Sequence, residues 1–257
     1  MPLLFTLALL LSLLFLLWLF SLWLRDASIV DIFWGCGFVI IAWVCLLTTP
    51  ERTPRALLVT ILITVWGLRL ALYLFRRNAG QGEDYRYAAM RKRIGRYFPF
   101  FSLFLVFGFQ GVLIWLISFP LQQAITAVQP QSLTALDFAG ALLWISGFLF
   151  EAVGDWQLTR FKANPANRGQ VMDRGLWRYT RHPNYFGDAL LWWGFFLIAL
   201  ATPNGWWTML SPLVMTFLLI KVSGVALLER TLAGSRPQYA DYRRRTSAFV
   251  PWFPKKN

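Results

Sequence analysis

Glu151 and Asp155 stand four residues apart inside an apolar stretch, so a helix there carries both carboxylates on one face. Two such groups need cations or hydrogen-bond donors opposite them. The nearby Arg160, Lys162 and the segment from Arg178 to His182 supply candidates. An internal ion-pair network and a ligand site account for this pair equally well. The densest chemistry lies just beyond, in the run from Asp173 to Asp188. Arg174, Arg178, Arg181 and the only histidine, His182, fall there within nine residues, interleaved with Trp177, Tyr179 and Tyr185. Pro183 suits the first turn of a helix, which places Asn184 and Asp188 one turn apart. Arginines bind phosphate or carboxylate bidentately and aromatic rings stack on flat heterocycles, so this run predicts a site for an anionic, planar ligand such as a nucleotide cofactor. Asp31, Arg69 and Gln110 are further polar residues inside apolar runs, where each costs a few kcal/mol unless satisfied. A third cluster, from Tyr239 to Pro254, combines Tyr242 and the triple arginine 243–245 with Trp252 and Phe253; it reads as a basic amphipathic segment on anionic headgroups.

The elements that must position these residues are membrane spans. The chain has 257 residues, 57% of them hydrophobic and only 14% charged, where a soluble domain is about one-quarter charged. Mean hydropathy is +0.51, and 14 tryptophans suit a protein with two lipid–water interfaces to line. These values exclude a water-soluble globule, a disordered chain and a secreted disulfide scaffold. Seven apolar runs are legible, roughly 3–24, 27–47, 56–75, 98–121, 138–156, 185–201 and 206–228. The first lacks a basic leader and a small-residue cleavage site, and reads as a retained span. The expected fold is an all-α integral membrane protein, a single bundle of about seven transmembrane helices.

The net charge of +13 separates by loop. Basic residues concentrate at 76–96, 160–181 and 230–256, all on one side of a seven-span bundle, whereas 128–135 and 202–205 contain none. The positive-inside rule then places the C-terminus in the cytoplasm and the N-terminus in the periplasm, and no nucleic-acid partner is needed to explain the charge. Arg25 agrees with this orientation; Arg52 and Arg55 oppose it weakly. Cys36 and Cys45, inside one apolar run and without a neighbouring histidine, read as packing residues, and no metal site is expected. Gly35-Cys-Gly37 lies in a span without the third glycine of a dinucleotide fingerprint, and no Walker loop, H-E-x-x-H or G-x-S-x-G is present. A bound dinucleotide is therefore expected outside a Rossmann fold.

From Gly175 to Asp188 the sequence resembles the C-terminal half of the steroid 5α-reductase superfamily, and more closely the bacterial DUF1295 membrane proteins within it. The resemblance runs from Ile29-Val-Asp-Ile-Phe-Trp-Gly35 to Phe249-Val-Pro-Trp252. Its strongest pieces are Glu151-Ala-Val-Gly-Asp155, Arg178-Tyr-Thr-Arg-His-Pro-Asn-Tyr-Phe-Gly-Asp188 and Tyr239-Ala-Asp-Tyr242. It implies a single transmembrane domain whose C-terminal half, about 135–257, is a 3-oxo-5α-steroid 4-dehydrogenase-like cofactor-binding region. It also implies an NADPH site drawn from Arg69, Tyr73, Asp155, Lys162, Arg178, Tyr179, His182, Asn184, Tyr185, Asp188, Glu229, Arg230 and Tyr242. The steroid-reducing members carry a Gln-Glu pair and a third-helix tyrosine that engage the substrate carbonyl; here the same spacing leads to Asp31-Ile32 and Trp66.

The function expected on this basis is NADPH-dependent hydride transfer to an activated C=C bond of a steroid or other lipophilic substrate taken from the bilayer, in a bacterial inner membrane. Asp31 is the expected acid, assisted by Glu151 or Tyr87. The alternative is an S-adenosylmethionine-dependent methyltransferase of the isoprenylcysteine carboxyl methyltransferase type, which shares an Arg-His-Pro-x-Tyr-x-Gly stretch and a C-terminal glutamate like Glu229. A transporter built from matched halves has little support, because no internal repeat is visible.

Overall fold

A computed structural model describes residues 2–222 and 238–255. The described residues are helical and contain no β-strand. The chain divides into two compact units: the first comprises Met1–Thr134 and Ala201–Gly205, the second Ala135–Leu200 and Trp206–Asn257.

The first unit begins with α1 (Pro2–Leu24), α2 (Ile29–Thr48) and α3 (Pro54–Asn78). α1 is apolar on every face and ends at Arg25, whose φ of 54° turns the chain out of the helix. α3 starts at a strong signal: the Thr53 side chain accepts from the Ala56 amide, and Pro54 occupies the first turn. α2 and α3 meet at glycines. A Cβ on Gly35 would lie 2.3 Å from the Gly67 carbonyl oxygen, so the two backbones approach too closely for any side chain. Trp66, fully buried beside this crossing, packs edge-on to Phe38 at 5.7 Å. Arg55 is also buried, and its guanidinium donates to the carbonyls of Pro130 (2.9 Å) and Ser132 (3.4 Å). The cation that opposes the positive-inside pattern is thus committed to tying a loop to the start of α3.

Beyond α3 a single helical path runs from Tyr85 to Ile117, longer than the apolar run beginning at 98. It comprises the basic α4 (Tyr85–Ile94), a tight turn, α5 (Phe98–Ser102), a wide π-helical segment (Leu103–Gly108) and α6 (Phe109–Ile117). α4 lies outside the apolar run because charge, rather than apolar length, defines it. Its cap is local: Asp84 accepts from the Arg86 amide, and Gly95 at φ 65° closes the far end. α7 (Phe119–Thr126) follows, tied to α1 by a buried relay in which Thr6 donates to Gln122 and Gln122 donates to Ser118, both at 2.8 Å.

The second unit is organised by α8 (Ala135–Ala163) and α9 (Pro183–Leu200). Gly140, Gly147 and Gly154 recur every seven residues on α8, and Gly187 and Gly194 do so on α9. A Cβ on Gly187 would sit 2.4 Å from both the Glu151 nitrogen and the Gly147 oxygen; one on Gly194 would sit 2.7 Å from the Gly140 oxygen. The pair is packed backbone to backbone along its length. α10 (Leu210–Phe217) follows, and α11 (Tyr239–Arg245) leads into an extended tail. Six helical paths among the described residues are long and apolar enough to cross a membrane: Leu3–Leu24, Ile29–Thr48, Pro54–Asn78, Tyr85–Ile117, Ala135–Ala163 and Gly205–Val222. The sequence reading gives seven. The difference is α9, an 18-residue helix whose first turns carry Asn184 and Asp188.

Candidate functional site

In the first unit the polar residues converge on Asp31. Its Oδ2 accepts from the Arg86 guanidinium at 2.6 Å and its Oδ1 from the Tyr87 hydroxyl at 2.7 Å. Gln110 donates its amide to the same hydroxyl at 3.0 Å. Tyr87 is buried, and the Arg86 guanidinium lies 5.3 Å from its ring centre. Asp31 is therefore engaged as an acceptor on both oxygens, and the hydroxyl donor of the cluster is Tyr87. The same unit carries an apolar groove of about 880 Å³ whose walls include Leu11, Leu14, Phe104, Val112 and Met90, the last one turn from Tyr87 on α4; Asp31, Arg86, Tyr87 and Gln110 do not line it.

The loop before α4 holds this cluster in place. Glu83 takes two hydrogen bonds from Arg91, at 2.9 and 2.7 Å, and one from the Ala27 amide at 2.9 Å. Asp84 accepts from the Arg86 amide and side chain. Burial disfavours the charged form of both carboxyls, but the arginine and amide donors outweigh it, and both are held below the ordinary carboxylate range. Their stabilising effect is therefore complete above the unfolded values of about 4. It is lost as pH falls through the depressed values. Thermal unfolding of the wild type is expected to move to lower temperature on acidification through that range, and Glu83→Gln is expected to flatten the dependence. Parallel curves for the two proteins would refute the contribution of Glu83.

In the second unit Glu151 and Asp155 are both buried, one turn apart on α8. The Asn184 amide donates to Asp155 Oδ1 at 3.1 Å, joining the two motif segments that lie 29 residues apart. Gly154 fits between them: a Cβ there would touch Pro183 at 3.2 Å and the Asn184 nitrogen at 3.3 Å. His182 is buried and stacked on Tyr185, ring centres 5.5 Å apart and nearly parallel. Trp177 donates its indole N–H to the Gly154 carbonyl at 3.1 Å, and the buried Tyr242 hydroxyl donates to the Trp177 carbonyl. Tyr242 is thus a positioning residue for this segment. Gln157, which the sequence reading passed over, accepts from the Leu176 amide at 3.0 Å and packs against Gly175, whose φ of 59° makes the turn.

The arginines of this segment divide by role. Arg181 is buried and donates to the carbonyls of Arg243 and Thr246, so it anchors the tail. Arg178 and Tyr179 are exposed. Lys162 lies past Asp155 on α8, lining a pocket of about 450 Å³ with Arg168, Asn164 and Gln170. Asp188 lies one turn beyond Asn184 on α9, half-buried.

Arg69 and Tyr73 belong to α3 in the first unit, with the Arg69 guanidinium 6.0 Å from the Tyr73 ring centre. Glu229 and Arg230 lie outside the described residues. Arg86 and Gln110 complete the Asp31 cluster, although neither was among the predicted site residues. Gln110 was visible as a polar residue in a span, while Arg86 was masked by the charge of its loop.

Helices of this length and composition, with their polar side chains gathered into buried clusters, define an α-helical integral membrane protein. The chain belongs to the DUF1295 family, described as a protein of unknown function, whose sequence profile matches residues 17–246. It is also similar to the uncharacterised protein C594.04c of Schizosaccharomyces pombe, with 25% identity over 91% of this chain and 75% of that protein. No solved structure matches the chain at a significant level.

Proposed function

We propose that this protein is an NADPH-dependent reductase of an activated C=C bond in a lipophilic substrate drawn from the bilayer. The observation that carries the reading is the Asn184–Asp155 hydrogen bond. It joins the two segments that resemble the cofactor motif of steroid 5α-reductases. The donor set fits a nicotinamide nucleotide: an amide and a carboxylate suited to a carboxamide, a flat His182–Tyr185 stack, and exposed Arg178 and pocket-lining Lys162 suited to phosphates. Asn184, Asp155, His182, Tyr185 and Asp188 would hold the cofactor, with Arg178 and Lys162 as its cations. NADPH, when bound, would supply a hydride, and its oxidation to NADP⁺ together with one proton taken up from water would balance saturation of the C=C bond.

Within the first unit, taken by itself, Asp31 and Tyr87 are the residues to which the acid role is assigned. The Tyr87 proton lies in a hydrogen bond to Asp31, so a substrate carbonyl would replace Asp31 Oδ1 as its acceptor while Gln110 keeps the hydroxyl oxygen in place. Asp31, Arg86 and Gln110 position the hydroxyl, which moves the acid from Asp31 to Tyr87. The apolar groove beside Met90 supports a lipophilic substrate. Seven spans, with α9 as the sixth, a periplasmic N-terminus, a cytoplasmic C-terminus and a bacterial inner membrane complete the proposal.

Thermal unfolding of the purified protein tests it. NADPH is expected to raise the midpoint, and Asn184→Ala to abolish that rise while leaving the midpoint without ligand within a few degrees of wild type. Stabilisation by S-adenosylmethionine together with none by NADPH would replace reduction with methyl transfer. Tritium from labelled NADPH is expected in the extracted lipid.

A further inference from the structure

The tail after α11 is fixed to the segment before α9 by a ladder of contacts. The Arg181 amide donates to the Ser247 carbonyl at 2.9 Å, the Trp252 amide to the Tyr179 carbonyl at 2.9 Å, and the Thr180 hydroxyl to the Phe249 carbonyl at 2.8 Å. Phe249 packs on Phe186, ring centres 6.0 Å apart, and Phe186 packs on Phe150 of α8 at 5.2 Å. A tail so pinned presents its outward side chains in a set direction. Those side chains are large and apolar: Val250, Trp252 and Phe253 are 59%, 72% and 77% exposed. Arg243, Arg244 and Lys255 of the same segment are exposed, and the only carboxylate between 238 and 255 is Asp241, which pairs with Arg244.

The depth of this patch follows from α8. Trp177, beneath the tail, is bonded to Gly154, nine residues before the end of the helix at Ala163. At 1.5 Å per residue that is about 13 Å of helix. A 29-residue span is about 43 Å long against a hydrocarbon core of about 30 Å, so Gly154 lies between the edge of the core, with the whole excess on this side, and about 7 Å inside it, with the helix centred, and not out in water. α8 marks the same level itself: Trp156 is 55% exposed, and the Arg160 guanidinium lies 5.2 Å from its ring centre. An exposed tryptophan followed one turn later by an arginine is the order of an interfacial belt and a headgroup layer. The Trp177–Gly154 bond thus brings Val250, Trp252 and Phe253, held to residues 179–181, near that belt, with the exposed Arg244 and Lys255 in the same segment.

We infer that the segment 243–255 docks on an anionic membrane leaflet, its aromatic residues at the boundary between headgroups and acyl chains and its arginines on lipid phosphates. Because the tail also takes the hydrogen bonds of residues 179–181, anionic lipid that holds the tail holds the backbone leading into His182 and Asn184. The inference stands apart from the reductase reading and survives its failure.

An environment-sensitive fluorophore on Phe253→Cys tests it, in the full chain with Cys36 and Cys45 replaced by alanine and reconstituted in lipid nanodiscs. Discs rich in phosphatidylglycerol are expected to give blue-shifted emission shielded from iodide, and pure phosphatidylcholine discs less of both. Arg243→Ala and Arg244→Ala are expected to weaken the preference for phosphatidylglycerol roughly fivefold each. Water-like emission in phosphatidylglycerol discs overturns the inference, as does equal shielding in the two lipids. Shielding that rises with protein concentration in lipid-free amphipol also overturns it, since a second copy then covers the patch. If the cysteine-free chain does not fold, trypsin cleavage of the native chain at residues 243–245 gives the same reading. Protection that appears only with phosphatidylglycerol supports the inference, and equal cleavage in both lipids overturns it.

Discussion

Gly187→Leu is expected to prevent the second unit from forming. A Cβ at this position already meets α8 backbone atoms on two sides, at 2.4 Å each, and backbone cannot rotate away as a side chain can. The leucine must push α8 and α9 apart along the seam that Gly140, Gly147 and Gly194 keep closed. Separation costs the interdigitated contacts of the whole pair, and in a bilayer no hydrophobic gain draws the helices back together. The smaller Gly187→Ala change is expected to cost about 1–3 kcal/mol, the range for forcing an extra methyl into a packed interior. Size-exclusion profiles in mild detergent are expected to show a monodisperse wild type, a monodisperse but less heat-resistant alanine variant, and an aggregated leucine variant. A leucine variant that is monodisperse with the wild-type unfolding temperature would refute the close approach. Gly187 also belongs to the Asn-Tyr-Phe-Gly-Asp motif, so its place there has a packing cause independent of any cofactor.

Tyr87→Phe is expected to lower the proposed reductase rate by roughly a hundredfold to ten-thousandfold, the usual contribution of a positioned acid. The ring stays, so the packing around it stays. The loss falls on the hydroxyl that Asp31 accepts from and Gln110 donates to. Asp31 keeps Arg86, so the stability cost is that of the two hydrogen bonds through the hydroxyl, about 1–3 kcal/mol. Hydride transfer to lipid, followed with labelled NADPH, is expected to fall while the NADPH-dependent rise in unfolding temperature persists. Wild-type turnover by the phenylalanine variant would remove Tyr87 from the chemistry. Asp31→Asn is the companion change: it keeps the shape but weakens the hold on both Arg86 and Tyr87, so a smaller loss is expected from it.

The membrane-spanning helices were legible because a bilayer demands long apolar runs and little else. α9 shows where that signal weakens, since its first turns carry polar residues while its apolar run is short. The Asp31 cluster was only partly legible. Asp31 and Tyr87 lie 56 residues apart in different helices, and no periodicity encodes which loop folds back onto which helix. Arg55 and Arg181 show the opposite failure. The sequence reading sets Arg55 weakly against the orientation pattern and groups Arg181 with the phosphate-binding arginines, yet each is buried on backbone carbonyls. The seven-residue glycine spacing of α8 and α9 stands openly in the sequence. Its meaning depends on two helices meeting, and that meeting is tertiary.

The π-helical segment Leu103–Gly108 sets the phase of everything after it. A π turn accommodates one more residue than an α turn, which advances the following helix by about 100° around its axis. With that advance, Ser102 before the segment receives the indole N–H of Trp18 while Gln110 after it reaches the Tyr87 hydroxyl. Shortening the segment by one residue would leave the span intact and swing Gln110 about 100° out of register. The widened turn thus works as an angular spacer, by which an ordinary lipid-facing helix aims one amide at a particular oxygen.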